Sequence, residues 1–347
     1  MSIRRLLVAA LALVVLVLAG AGAGAWWYLG TLAEPYRGFT GDEVFVEIPP
    51  GAGAPAIGRR LVAAGVVRDE QRFRVALWRS GHSRDLKAGE YRFADALPVD
   101  AVIARLAAGD VYKRQITFRE GLTVVEMARH FAERGFGDEA AFLAAAADPT
   151  PIRDLDPDAP DLEGYLFPET YTLARGVPAA DVVGEMVGHF KAAYRPELRA
   201  AAAAAGLTTR QVVTLASLVE KETARAEERP LVAAVYRNRL RIGMGMQADP
   251  TVIYALERAG EWDGNLTRAD LQFDSPYNTY RYRGLPPGPI AAPGLASLEA
   301  AVAPADVKYL YFVSRNDGSH VFASTLAEHN RNVYEWQVKY FREKRKK

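Results

Sequence analysis

The chain has 347 residues, enough for a membrane anchor and two ordinary domains that each bury a core. Half of its residues are hydrophobic and 24% are charged, which excludes a wholly disordered protein. The 43 basic residues nearly balance the 42 acidic ones, so no basic excess indicates nucleic-acid binding. The absence of cysteine excludes disulfides, thiol nucleophiles and thiolate metal sites, and the five scattered histidines form no HExxH pair. We therefore expect neither a metal nor another cofactor.

The first 30 residues predict a cytoplasmic tip and a transmembrane helix. Residues 6–28, LLVAALALVVLVLAGAGAGAWWY, contain no charge, and roughly 20 apolar residues suffice to cross the hydrocarbon core. Arg4 and Arg5 precede this segment and aromatic residues end it, which predicts a cytoplasmic N-terminus. A cleaved signal peptide is the alternative, because Ala21-Gly22-Ala23 resembles a cleavage site. Either interpretation places the rest of the chain outside the cytoplasmic membrane.

An internal repeat follows within residues 31–150. Residues 46–67 align with residues 116–136 at a constant offset of 70, without a gap. Each copy has an alternating apolar stretch, a glycine turn and a helical apolar period that ends at glycine, which predicts two strand–turn–helix units. Between the copies, residues 87–93 predict a strand and residues 99–109 a helix.

This small α+β unit resembles the LysM-like module, which binds chains of N-acetylated sugars. The alternative is a spacer that holds the following domain away from the membrane. The repeat itself predicts how this region folds, and it does not predict that the region binds sugar. Residues 147–160, ADPTPIRDLDPDAP, are dense in proline and aspartate, so we place the boundary of a mixed α/β domain, residues 151–347, there.

The clearest helix of this second domain contains the principal candidate residue. Thr208 and Gln211 have the spacing of a capping box, and apolar residues recur at helical spacing up to Val219. Glu220 follows this run, where poor solvation would suit a general acid. Pro230 fits the first turn of a second helix that ends near Arg241.

Most glutamates in such a charged helix are solvated surface residues. The pattern assigns Glu222, Glu227 and Glu228 to that class, with Glu222 pointing away from Glu220. Helical periodicity alone would assign Glu220 to the surface as well.

Five blocks in order resemble the MltG or YceG-like endolytic murein transglycosylases. They are LEGYLFPETY (162–171), LASLVEKET (215–223), MQADPTVIYAL (246–256), SPYNTYRYRGLPPGPIAAPGLASLEAAVAP (275–304) and YLYFVSRNDGSHVFASTLAEHNRNV (309–333). The resemblance extends from the anchor to the end of the chain. It implies that Glu220, in LASLVEKET, is the catalytic residue.

The resemblance also implies the chemistry. Glu220 would protonate the bond between N-acetylmuramic acid and N-acetylglucosamine and then take the proton of the muramyl C6 hydroxyl, which leaves a 1,6-anhydro end. A single glutamate performs both steps, so we expect no second acid close to Glu220. We also expect it to be partly desolvated and open to a long groove.

Polar residues in the other blocks are candidates for contact with the sugars, because amide and phenol groups suit acetamido and hydroxyl groups. For each candidate, the alternative to sugar contact is a structural role in holding the fold. The candidates are Glu163, Gln247, Asp249, Tyr277, Asn278 and Tyr280.

The sequence thus predicts an inner-membrane enzyme with its catalytic domain outside the cytoplasm. Its partners would be the glycan strands of nascent peptidoglycan and, by family resemblance only, polymerases such as penicillin-binding proteins, whose strands it would terminate. A noncatalytic scaffold that binds glycan through the repeat is the second hypothesis.

Overall fold

The computed structural model describes residues 3–223 and 225–345, so Met1 and Ser2 of the predicted cytoplasmic tip lie outside the described residues. The chain forms two compact units. The first consists of residues up to 114 with residues 174–176, and the second of residues 115–173 and 177–347. Helices and short antiparallel strands occur in the chain, as the α+β prediction requires.

Helix α1, Ile3–Thr31, opens the first unit. Its 22 residues Ala10–Thr31 are long and apolar enough to cross a membrane. Its apolar side chains are exposed, with Leu11 at 66% and Leu16 at 69%. A helix that exposes leucine along its length is suited to lipid and not to water.

The rest of the first unit packs three helices on a two-stranded sheet. The sheet pairs β1 with β2 in antiparallel register, Val44 opposite Phe93. Apolar side chains of the strands and helices form one core, which includes Leu61, Phe73 and Tyr91. The elements are β1 (Val44–Ile48), α2 (Ala54–Ala63), α3 (Glu70–Ser80), β2 (Gly89–Phe93) and α4 (Val99–Ala108).

The second unit is mostly helical, with two further strand pairs and its own core. Its strands are β3 (Lys113–Thr117, which begins at the unit boundary), β4 (Thr170–Ala174), β5 (Tyr311–Ser314) and β6 (His320–Ala323). Its first helices are α5 (Val124–Glu133), α6 (Glu139–Ala146), α7 (Ala179–Ala193), α8 (Pro196–Ala204) and α9 (Thr209–Glu222). The others are α10 (Arg229–Arg241), α11 (Asp249–Ala259), α12 (Leu295–Val302), α13 (Leu326–Val333) and α14 (Tyr340–Lys344).

Both copies of the repeat follow the same strand–turn–helix course, β1 to α2 and β3 to α5. The turn glycines adopt the same left-handed conformation, with φ of 75° at Gly51 and 78° at Gly121. The aligned Leu61 and Phe131 are both fully buried. The repeat therefore encodes the same local structure twice, whereas the likeness to a LysM module stays a prediction.

The division between the units differs from the predicted boundary at residues 147–160. The units separate between Arg114 and Gln115, so the two repeat copies lie in different units. The proline- and aspartate-rich segment turns as expected, with a 3-10 helix at Thr150–Ile152. However, it buries Ile152 and Ala159 in the core of the second unit. A segment that supplies core side chains belongs to that core.

Asp156, in this segment, is buried and binds two polar side chains, those of Arg210 and Tyr165. Its carboxylate accepts hydrogen bonds from Nε and Nη2 of Arg210, at 2.8 and 2.9 Å, and from the Tyr165 hydroxyl at 2.6 Å. The Asp156 side chain is 7% exposed. Removing one partner of such a pair leaves the other charge uncompensated.

We expect Asp156→Ala to lower the free energy of unfolding by about 2–4 kcal/mol, because it leaves Arg210 and the Tyr165 hydroxyl without their acceptor. Asp158→Ala is the matched control, since Asp158 is exposed in the same segment. Denaturant unfolding of both variants measures the difference. Equal stabilities would contradict the role given to Asp156.

Helix α9 forms as its sequence predicts. The Thr208 side chain and the Gln211 side chain make both hydrogen bonds of the capping box. The apolar face, from Val212 to Val219, is buried and packs against α10, α11 and α12. Helix α9 ends at Glu222, and Pro230 lies in the first turn of α10. This break places the last turn of α9 beside the start of α10.

Candidate active site

Glu220 lies in the last turn of α9 with its carboxylate held at both oxygens. The backbone N–H of Gly294 donates to Oε2 at 3.0 Å, and Nη2 of Arg229 donates to Oε1 at 3.2 Å. The Glu220 side chain is 6% exposed. The predicted desolvation of this carboxyl is confirmed, and two fixed donors determine its orientation.

Two helix starts supply these donors. Arg229 is the first residue of α10, and its side chain is 11% exposed. Gly294 is the N-cap of α12, where unpaired backbone N–H groups favour a negative charge. Gly294 also ends the proline-rich segment GLPPGPIAAPG (284–294). Arg229 was not singled out from the sequence.

A second acid lies close to Glu220, so the expectation of a lone carboxyl is wrong. Oε2 of Glu120 accepts a hydrogen bond from the same Nη2 of Arg229, at 3.4 Å. Burial and then the charge of Glu220 raise the pKa of Glu120, while Arg229 opposes them. Glu120 follows β3 in the turn of the second repeat copy, far from Glu220 in the sequence. Local pattern could not have shown this contact.

The three charged groups border an open cleft of about 810 Å³. Its lining comes from α9 and α10, from the β3–α5 turn and from the start of β4. The described lining residues are Thr117, Phe118, Arg119, Glu120, Pro168, Glu169, Thr170, Glu220, Lys221, Glu222, Thr223 and Arg229. A cleft of this size has room for sugar rings beside Glu220.

Of the three glutamates assigned to the surface, Glu228 is buried and Glu222 is half-buried. Glu222 accepts a 2.7 Å hydrogen bond from the Tyr236 hydroxyl, and desolvation raises its pKa. Glu228 is 6% exposed and pairs with Nδ1 of His320 at 2.6 Å. Burial opposes ionisation of Glu228, yet the His320 hydrogen bonds lower its pKa overall. Glu227 is exposed, as expected.

The six candidates for sugar contact lie apart from the described lining of this cleft. Asp249 and Tyr280 form one pair, in which the Tyr280 hydroxyl donates to Oδ1 of Asp249 at 2.6 Å. Gln247 has a positive φ of 49°, and its backbone N–H donates to the Thr279 carbonyl at 3.3 Å. Left-handed backbone is uncommon for a residue other than glycine, so the surrounding loop holds Gln247 in this conformation.

Asn278 and Tyr277 have partners within the fold. Asn278 is fully buried, and its amide donates to the carbonyls of Leu271 and Phe273 at 3.0 and 2.8 Å. The Tyr277 ring packs against Tyr254, with 5.0 Å between ring centroids. These contacts favour a structural role over sugar contact for both residues, most clearly for Asn278.

Glu163 faces a different cavity, of about 630 Å³. The backbone N–H of Val124, at the start of α5, lies 3.2 and 3.3 Å from its two carboxyl oxygens. The Tyr254 hydroxyl donates to Oε2 at 3.3 Å. Burial raises the pKa of Glu163 to about 8, because these long hydrogen bonds do not offset the lost hydration. Its carboxyl is therefore largely protonated at neutral pH.

Comparisons with known proteins identify the family and several relatives of this chain. The sequence model of the YceG-like family matches residues 46–335. An endolytic murein transglycosylase of Bacillus subtilis is 33% identical over 326 residues, covering 88% of each chain. A protein of the same name from Streptococcus pneumoniae strain D39 is 31% identical, over 84% of this chain and 58% of its own. The crystal structure of a yceG-like protein from Listeria monocytogenes, 31% identical, aligns with a TM-score of 0.57 over 84% of this chain and 98% of that one.

Proposed function

The chain belongs to the YceG-like family, and from that membership we propose that it is an endolytic murein transglycosylase, as its relatives are named. The observation that carries the proposal at the level of residues is Glu220. It is a nearly buried carboxyl, held by Arg229 and Gly294, at the edge of an open cleft of about 810 Å³.

In the first step, protonated Glu220 donates its proton to the glycosidic oxygen between N-acetylmuramic acid and N-acetylglucosamine. The bond from this oxygen to the muramyl C1 breaks, and positive charge develops on the sugar ring. In the second step, the Glu220 carboxylate takes the proton of the muramyl C6 hydroxyl as O6 bonds to C1. The products are a 1,6-anhydro end and a free N-acetylglucosamine end. No water is consumed, and Glu220 regains its proton.

The contacts of Glu220 suit the carboxylate formed between these steps. The Arg229 guanidinium and the Gly294 N–H stabilise negative charge, and they are in place before the reaction begins. Both donors are fixed at helix starts and need little rearrangement. This geometry supports a glutamate that alternates between acid and base.

We further propose that α1 anchors the enzyme in the inner membrane with the N-terminus in the cytoplasm. Its length and exposed apolar surface support the anchor, and Arg4 and Arg5 support the orientation. An anchored enzyme would meet glycan strands as polymerases such as penicillin-binding proteins extend them. Cutting there would terminate strands.

For contact with the sugars beyond Glu220, we retain the Asp249–Tyr280 pair and Gln247 as the stronger candidates. The Asp249–Tyr280 hydrogen bond is exposed, so both groups could exchange it for sugar hydroxyls. Glu163, Tyr277 and Asn278 are more buried. We expect these three to support the fold around the site.

The masses of the products test the reaction. We expect digestion of purified glycan strands to give muramyl ends with the mass of the 1,6-anhydro sugar, because the C6 hydroxyl replaces water. Mass spectrometry of the products distinguishes the alternatives. Ends heavier by one water would instead identify a hydrolase.

A further inference from the structure

Trp78, on α3, is 81% exposed, and no large apolar side chain in the described part of the chain is more exposed. A single exposed apolar residue is ordinary on a protein surface. Trp78, however, borders a surface cavity of about 610 Å³. Its apolar neighbours there are Val75 and Leu77 of α3 and Ala54 and Pro55 at the start of α2. The first unit therefore has an apolar hollow with an exposed tryptophan beside it.

The exposed face of α3 carries a cation as well as the tryptophan. Gln71, Arg74 and Trp78 are exposed at intervals of three and four residues, so they lie on one face of the helix. Phe73 and Leu77 are buried in the core of the first unit, which turns this face outward. An aromatic ring and a guanidinium on one face suit the boundary between lipid and water, because the ring can enter lipid while the charge stays hydrated.

The last turn of α1 forms another wall of the cavity, through Tyr28. Helix α3 is bound to the same turn, because Nε of Arg72 donates to the Thr31 hydroxyl at 3.4 Å. The Arg72 guanidinium also lies 5.9 Å from the centroid of the Tyr28 ring. Leu32, directly after α1, is buried in the core of the first unit. These contacts hold α3 beside the end of α1.

The neighbours of Tyr28 in α1 indicate its depth in a bilayer. Trp26 and Trp27, which immediately precede it at the end of the apolar segment, are 80% and 68% exposed. Tryptophan and tyrosine at the end of a membrane span lie at the level of the lipid headgroups. A helix rises by about 1.5 Å per residue, so Tyr28 lies within about 3 Å of this level. The cavity lined by Tyr28 and Trp78 therefore lies at the membrane surface.

We propose that the exposed face of α3, with Trp78 and Arg74, rests on the outer surface of the bilayer that α1 crosses, and that lipid occupies the cavity beside Tyr28. This contact rests on the proposed anchoring of α1. The apolar side chains of such a face enter the boundary between headgroups and acyl chains to a depth of about 5–10 Å. The contact fixes the orientation of the first unit on the membrane.

Quenching of tryptophan fluorescence by brominated lipids tests this contact. The full-length protein is reconstituted in vesicles of phosphatidylcholine and phosphatidylglycerol, with Trp78 as its single tryptophan. Phenylalanine replaces the other four, Trp26, Trp27, Trp262 and Trp336. We expect lipids brominated high on their acyl chains to remove most of the Trp78 emission, and lipids brominated near the chain ends to remove little. The difference between the parent and Trp78→Phe measures the same emission without the other substitutions.

Phe45 provides the matched control, because it is an exposed aromatic residue of the same unit, at 42%. Val46 and Ile48 of β1 are buried, so Phe45 faces away from the core that α3 covers. With Phe45→Trp as the single tryptophan, and Trp78→Phe, we expect the brominated lipids to leave the emission unchanged.

A Trp78 emission that brominated lipids leave unchanged would overturn the proposal. Equal quenching at positions 45 and 78 would also overturn it, because the contact would then not be specific to α3. So would a Trp78 emission that responds to purified glycan strands instead of lipid, since this face would then bind sugar. A variant with Trp26 as its single tryptophan, unquenched by either lipid, would instead refute the proposed anchor.

Discussion

Replacing Glu220 with glutamine is expected to slow glycan cleavage by about 10²–10⁴-fold, the usual contribution of a positioned acid–base group. Glutamine keeps the shape of the side chain and an oxygen for the Gly294 N–H, but it has no proton to donate at neutral pH. The loss should appear in kcat, because substrate contacts elsewhere in the cleft are unchanged. Release of anhydro-ended fragments from purified strands measures it.

Glu227→Gln provides the control for this loss. Glu227 is exposed, lies seven positions further along the chain and forms a long ion pair with Arg225, at 3.7 Å. We expect it to cleave glycan at the parent rate. If Glu220→Gln also kept the parent rate, the catalytic assignment would fail and the glycan-binding scaffold would become the better hypothesis.

Local sequence patterns correctly predicted helix α9, which carries Glu220. The capping box at Thr208 and the apolar face of α9 involve residues only three or four positions apart, so their spacing determines them. Pro230 at the start of α10 is equally local. These features put Glu220 at the end of an apolar helix, and the resemblance of the LASLVEKET block supplied its predicted role.

The charged neighbours of Glu220 could not be predicted in this way. Glu120 and Arg229 reach it through the packing of β3, α9 and α10, which no short spacing encodes.

The sequence pattern also failed to predict that Glu228 is buried and Glu222 half-buried, for a related reason. Glu222 and Glu228 stand among charged residues, which is typical of a solvated face. Their partners, Tyr236 and His320, come from other elements and satisfy the carboxylates inside the protein. Turn-forming residues such as Pro149 likewise do not reveal that Ile152 enters the core of the second unit.

Glu163 gives the second large prediction, a fall in stability as pH rises. Its pKa is about 8 in the folded protein and close to 4.5 when unfolded. Between these values the native state keeps a proton that the unfolded state releases, so the free energy of unfolding decreases with rising pH. Below pH 4.5 the full contribution is present, and above pH 8 it is lost. The total loss amounts to about 3–5 kcal/mol, at 1.36 kcal/mol per pKa unit.

Glu163→Gln should remove this dependence, because the neutral amide resembles the protonated carboxyl and cannot ionise. Thermal midpoints measured from pH 5 to pH 9 should therefore fall less steeply in the variant, which should exceed the parent near pH 8. Glu197→Gln, at an exposed position, should retain the parent slope. Identical slopes for the parent and Glu163→Gln would show that Glu163 ionises normally. The 630 Å³ cavity it faces would then have to be hydrated well enough to hold a carboxylate.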